Sequence, residues 1–336
     1  MSTIPVFVGL DYHQDSVQVC VMDAAGKQLV NRSCPNDWRA IERSVRRHGR
    51  PQRVAIEACT GAAHLADELI SQAGWPVQLA HPGYVARLKR GPDKTDFGDS
   101  RLLADLERVG YLPTVWLASE AVRELRRVVR YRQQLVGERR NIKLRVSAAL
   151  REQRMRIRGS AWTKAWQKCV VELPELSEQA RWIIGRQIVR IEQLKQEIAE
   201  VEERMRELTI DDPLVARLQQ EKGVGLVTAC TLRAEIGCFQ RFRSGKQLAR
   251  FCGLSPRNAS SGQRQADAGL IKAGNPQLRA TLIELAHRLR RCNPRWAQLA
   301  EQLLARGKPT CVMIAAVANR WLRATHHQLT ALEVDA

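Results

Sequence analysis

The order of short apolar runs in the first hundred residues limits this chain more than any other feature. Residues 5 to 32, PVFVGLDYHQDSVQVCVMDAAGKQLVNR, contain three β-rich runs with turns near His13-Gln14-Asp15 and Ala24-Ala25-Gly26. That pattern predicts an antiparallel meander. Residues 36 to 48 have a helical pattern, and RVAIEA (53 to 58) is a compact apolar strand. Residues 61 to 74 predict a helix closed by Gly74, and WPVQLA (75 to 80) another strand. Helices alternating with strands after residue 36 imply parallel pairing there. A further helix follows Asp96.

This succession is the one expected of an α/β RNase H-like domain over residues 1–113. In such a sheet the first and fourth strands are neighbours. Asp11, inside LDYH, and Glu57, at the end of RVAIEA, would then lie side by side. Asp96 and Asp99 are three apart, so they share one face of the following helix. Acids at the ends of buried strands are costly unless paired or metal-bound. Four such carboxylates suit two Mg²⁺ ions, with Mn²⁺ a second choice. Two metals can stabilise both the attacking and the leaving oxygen of an in-line phosphoryl displacement. Each acid alone also has an ordinary explanation. Asp96 suits a helix cap, Asp99 a first-turn dipole partner, and Glu57 a partner for an arginine. Lys94, just before the helix, is placed to contact a phosphate.

The composition changes after Pro113. Residues 121 to 158 carry thirteen Lys or Arg against three Glu, in a pattern compatible with a long helix. Residues 177 to 208 predict a second, with Ile184, Ile188, Ile191, Leu194, Ile198, Val201, Met205 and Leu208 three or four apart. That is a coiled-coil-like seam, serving either a dimer or an intramolecular hairpin. Residues 114–210 are thus expected to form a long-helix region for oligomerisation and nucleic-acid contact. Residues 211–336 are expected to form a helical domain. In it EKGVGLVTA (221 to 229) is either a helix-hairpin-helix turn or a plain helical turn. In the first case Gly223 and Gly225 admit a phosphate to backbone N–H groups. Residues 245 to 253 predict a short helix, 254 to 276 a polar loop, and 277 to 305 and 309 to 326 two helices. Within the loop, Ser260 and Ser261 precede Gly262, with Arg257, Arg264, Lys272 and Arg279 around them in sequence. A serine among arginines can attack a phosphodiester. By composition alone an ordinary phosphate-contacting loop is the simpler reading.

Net charge is +19, which calls for a polyanionic partner. No segment is a clean basic amphipathic anchor, so nucleic acid is preferred over a membrane surface. No run of about 18 apolar residues suggests a membrane span. The first residues enter a strand pattern without a signal sequence, and the expected location is cytoplasmic and nucleoid-associated. The nine cysteines form no CxxC pair. They fit neither a zinc ribbon nor a disulfide framework, and most are expected to be buried small hydrophobes.

The combination LDYH, AIEACTG and KTDFGD, followed by GVGLVTACTL, FCGLSPRNASSGQRQ and IKAGNPQLR, resembles the IS110/IS1111 family of insertion-sequence transposases. These are the serine-DEDD recombinases, which include Piv-type DNA invertases. The resemblance spans nearly the whole chain. It implies a RuvC-like DEDD nuclease domain in front and a helical transposase domain behind. It implies Asp11, Glu57, Asp96 and Asp99 as the metal-binding catalytic acids, and Ser261 as the nucleophile with Ser260 as the fallback. It further implies double-stranded donor and target DNA, dimers pairing into tetramers, and a composite centre contributed by different protomers. A structured guide RNA from the element would base-pair with both DNAs, leaving the protein to bind backbone and shape. The implied activity is transposition through a phosphoserine intermediate. A hydrolytic, junction-resolvase-like nuclease and a non-catalytic DNA-binding protein are the alternatives. Two places depart from the pattern. Ser100 stands where relatives more often carry alanine, a change expected to matter little, and Gln263-Arg264-Gln265 is less basic than usual.

Overall fold

The computed structural model describes residues 4–88, 95–156, 160–258, 267–271 and 274–334. Contacts divide the chain into two compact units, Met1–Ala118 and Ser119–Ala336.

The first unit opens with β1 (Pro5–Tyr12), β2 (Ser16–Asp23) and β3 (Gln28–Pro35), the antiparallel meander. Then come α1 (Trp38–Arg46), β4 (Arg50–Glu57), α2 (Ala62–Ala73) and β5 (Val77–Ala80). They are followed by α3 (Pro82–Leu88), α4 (Asp96–Arg108) and β6 (Thr114–Val115). The sheet order is β3-β2-β1-β4-β5-β6, with β4 parallel to both β1 and β5. This mixed sheet is compatible with an RNase H-like domain. α3 and β6 were not expected; at seven and two residues they are too short for periodicity to register.

Strand alternation sorts the sheet into two faces. Val6, Val8, Leu10, Val54 and Ile56 meet Ile41 and Val45 of α1 and Leu65 and Leu69 of α2. On the other face Ala55 and Ala80 meet Val85 of α3 and Leu103 and Leu106 of α4, while Cys20 and Met22 meet Ala104. Each fully buried Val, Leu or Ile contributes about 1.5–3 kcal/mol relative to exposure. Gly9 lies where α4 approaches closest. A Cβ there would stand 2.0 Å from the Ser100 carbonyl oxygen and 2.5 Å from the Ala104 nitrogen.

The second unit contains α5 (Glu120–Glu152), α6 (Lys164–Glu172) and α7 (Glu178–Leu208). Along α5 and α7 the partners run in opposite order. Val146 and Leu150 meet Ala180 and Ile184, and Leu135 and Ile142 meet Ile191, Leu194 and Ile198. The pair is therefore an antiparallel hairpin, and the apolar seam of α7 is filled within the chain. Leu208 lies off it, 41% exposed. Part of the basic tract has structural work. Arg126 Nε donates to the Ala234 carbonyl at 2.8 Å, Arg132 pairs with Glu202, and Arg130 grips the buried Glu235 with two bonds of 2.8 and 3.0 Å.

Next follow α8 (Pro213–Gln219), α9 (Leu226–Ile236), α10 (Gly245–Phe251), β7 (Pro256–Asn258) and β8 (Asp267–Leu270). The chain ends in α11 (Pro276–Cys292), α12 (Pro294–Ala305) and α13 (Thr310–Val334). A large core joins these helices to the start of α5 and the end of α7. Two expectations are corrected. The segment expected to be a polar loop includes a strand pair, with Pro256 opposite Leu270. The helix expected over 277–305 is two helices. Pro294 lacks an N–H and pushes Asn293 into extended conformation (φ −117, ψ 115), which ends α11. Among the cysteines only Cys20, Cys34, Cys230 and Cys252 are buried, all free, so fewer act as core residues than expected. Among the described residues no helix is long and apolar enough to cross a membrane.

Candidate active site

β1 and β4 end together: Leu10 pairs with Ile56, so Asp11 and Glu57 follow at the next register position. By alternation both carry the parity of Gly9 and Ala55, the face covered by α4. Thr95 caps α4, its hydroxyl accepting from the Gly98 N–H at 3.1 Å. Asp96 is therefore not used as the cap, and with Asp99 it lies in the first turn of the helix. Asp99 is buried and Asp96 exposed.

The other three acids act on Asp11. Burial pushes the Asp11 carboxyl above its ordinary value. His13 opposes that rise, and the negative charges of Asp96, Asp99 and Glu57 add to it. Burial also raises the Cys59 thiol, with a smaller push from Glu57 and Asp11, so the loop after β4 borders the same spot. Repelling oxygens are a poor site for folding energy and a good one for a hard divalent cation. The acidic cluster is compatible with a divalent metal by the chemistry of its donors.

A polar clamp fixes the α4 turn on the meander. Asn31 Nδ2 donates to the Phe97 carbonyl at 2.9 Å, and Asn31 Oδ1 accepts from Gln18 Nε2 at 2.7 Å. Ser100, fully buried, places its hydroxyl 3.3 Å from Asn31 Oδ1 and 3.2 Å from the Phe97 carbonyl. Ser100 thus has a place in the clamp. Gln18 itself lies directly across from Asp11 in the β1–β2 register.

His13 was absent from the sequence-derived site. Its Nε2 lies 3.5 Å from Asp11 Oδ2 and 3.3 Å from Asp96 Oδ2. The signal was available in the Asp-x-His spacing, which places the imidazole two residues from Asp11 at the end of β1.

In the second unit, Gly223 adopts φ +105, and a Cβ there would meet the Cys292 sulfur at 2.9 Å. Packing alone accounts for that glycine. Gly225 caps α9 without any side-chain bond, and a Cβ there would meet nothing, which leaves room for a phosphate. Arg288 stands beside this turn, donating to the Gly223 carbonyl and to Thr228 Oγ1, and sequence reasoning missed it. Arg257 is exposed on β7. Arg279, near the start of α11, has a buried Nη1 without a partner among the described residues. Lys94, Ser260, Ser261, Arg264 and Lys272 lie outside the described residues.

Residues 8–154 match the family model for IS110-type DEDD transposases, described as "Transposase". Residues 215–301 match that of the "Transposase IS116/IS110/IS902 family". A probable family 20 transposase of Pseudomonas aeruginosa is 29% identical over 93% of this chain and 93% of its own length. The transposase for insertion sequence element IS1111A of Coxiella burnetii is 26% identical over 84% of this chain and 78% of its own. That for IS1328 of Yersinia enterocolitica is 28% identical over 81% and 82%. With both family models matched in order along one polypeptide, and relatives matched over 78% to 93% of their own length, this chain belongs to the IS110/IS1111 family of insertion-sequence transposases.

Proposed function

We propose that the chain moves its insertion sequence by cleaving and exchanging DNA strands at a RuvC-like acidic centre, through a phosphoserine intermediate. One observation carries this. Asp11 and Glu57 lie at the ends of adjacent parallel strands on the face that α4 covers, and the charges of Asp96, Asp99 and Glu57 all raise the Asp11 carboxyl.

Asp11, Glu57, Asp96 and Asp99 would hold the Mg²⁺ or Mn²⁺. Divalent cations, when bound, supply positive charge to the scissile phosphate and lower the barrier to its displacement. The chain's own part begins with Ser261. Its oxygen attacks phosphorus, loses its proton, and displaces a DNA hydroxyl, leaving a serine–phosphate bond. A hydroxyl of the incoming strand then attacks that phosphorus and returns the serine. One P–O bond breaks for each that forms, so no nucleotide cofactor is consumed. Exposed Arg257, together with Arg264, Lys272, Arg279 and Lys94, neutralises backbone phosphates, and Gly225 admits one at the N-terminus of α9. The long helices within 114–210 contact nucleic acid and the other protomers of a dimer that pairs into a tetramer. A structured guide RNA supplies sequence choice by base pairing with donor and target.

The test is a denaturing gel of the full chain incubated with element-end DNA and Mg²⁺. Wild type should yield a denaturation-resistant protein–DNA adduct, and Ser261→Ala none. Asp11→Ala and Asp99→Ala should lose both adduct and strand transfer while DNA binding persists. Cleavage by Ser261→Ala at the wild-type rate, with no adduct, would instead establish water as the nucleophile and a junction-resolvase-like hydrolysis.

A further inference from the structure

Asp11, His13 and Asp96 each offer one donor atom, and the three atoms lie within 4.8 Å of one another. The backbone around His13 is tied down. Its N–H donates to the Ser16 carbonyl at 2.9 Å, and its carbonyl accepts from Asn36 Nδ2 at 3.0 Å. Asn36 Nδ2 also donates to the Gln14 carbonyl at 3.0 Å, which closes the same turn. The ring is thus carried on a braced turn, with Nε2 between two carboxylates of different elements.

This set differs in kind from four carboxylates. Oxygen donors serve Mg²⁺ and Mn²⁺ alike, whereas imidazole nitrogen belongs with the transition series. Mn²⁺ takes carboxylate oxygen as Mg²⁺ does and, unlike Mg²⁺, belongs to that series. We infer that His13 is a nitrogen donor to the divalent cation held by Asp11 and Asp96, and that it biases this position toward Mn²⁺ over Mg²⁺. The inference rests on the acidic-centre reading above and adds a ligand to it.

The test uses the full-length chain without nucleic acid, so that no step of the reaction enters the readout. Mn²⁺ binding is followed by electron paramagnetic resonance, and ligand nitrogen by the ¹⁴N modulation of the electron spin echo. Wild type should show ¹⁴N coupling to bound Mn²⁺ that His13→Ala removes. His13→Ala should also weaken Mn²⁺ binding at least ~10-fold, the lower bound for losing even an outer partner of a metal ligand. Competition should show a much smaller loss for Mg²⁺. His13 is half-exposed, and the wild-type spectrum needs no variant to fold. Absence of ¹⁴N coupling in wild type, or its persistence in His13→Ala, overturns the inference. If Asp11→Asn meanwhile lowers Mn²⁺ affinity, the acidic centre survives that failure. If neither variant changes Mn²⁺ binding, the acidic-centre reading falls as well.

Discussion

At Gly9 a single hydrogen sets the distance between two elements. Any larger side chain would drive a carbon to 2.0 Å from the Ser100 carbonyl oxygen, and backbone cannot yield as a flexible side chain can. Gly9→Ala should therefore cost at least the upper end of the ~1–3 kcal/mol typical of overpacking. It should also abolish strand transfer, because α4 carries Asp96 and Asp99. Thermal unfolding and a strand-transfer assay on the same preparation check both effects. Glu107, on the same helix, is buried, and its Oε1 has no partner among the described residues. Burial pushes its carboxyl above the ordinary 4.5, with Arg53 opposing. The folded chain then keeps a proton that the unfolded chain has already released. Stability due to this group is greatest in acid and falls as pH rises above 4.5. Glu107→Gln should flatten that decline and raise Tm at neutral pH, by ~2–4 °C for each 1 kcal/mol relieved. An unchanged slope of Tm against pH would refute this account of Glu107.

The hairpin of α5 and α7 shows how an element takes its meaning from its partner. Its spacing of apolar residues was plain in the sequence, but spacing alone does not tell an internal partner from a second chain. The opposed order of clusters shows the internal use: Val146 and Leu150 with Ala180 and Ile184 at one end, Leu135 and Ile142 with Ile191, Leu194 and Ile198 further along. Leu194 is fully buried in this seam. Leu194→Ala should cost ~2–5 kcal/mol by lost transfer energy and the cavity left behind. Denaturant midpoints of the second unit's unfolding would measure it. A loss below 1 kcal/mol would mean that the seam is loosely packed. Charge on these helices must likewise be read in place. Arg126, Arg130 and Arg132 belong to the basic tract of a region expected to meet nucleic acid, yet each is bonded to Ala234, Glu235 or Glu202.

For the molecule as a whole, a net charge of +19 governs how it meets DNA, the substrate of its family. Each phosphate neutralised releases condensed counterions, so log K against log salt should fall with a slope of about −0.9 per contact. With six to ten contacts, affinity for random duplex should drop roughly 10³–10⁵-fold between 50 and 200 mM salt. Fluorescence anisotropy on duplexes of unrelated sequence would show this, and a shallow slope would argue for few backbone contacts. Asp11→Asn should leave the slope nearly unchanged, since the acid carries no phosphate-binding charge.

The amino-acid order by itself determined the meander and the alternation of strand and helix behind it. Periods of 2 and 3.6 are local properties that survive in one dimension. Helix ends are local too, because caps such as Thr95 and breakers such as Pro294 act on their neighbours, although the spacing alone offered Asp96 as the cap and one helix through Pro294. The tertiary structure alone decided which of the charged groups meet. His13 stands 83 positions from Asp96, and only the pairing of β1 with β2 and the docking of α4 across Gly9 bring Nε2 to 3.3 Å from its carboxylate. The same holds for Asn31, 66 residues from the Phe97 carbonyl it grips. Contacts of that separation depend on how packed layers close, and no window of sequence contains both partners.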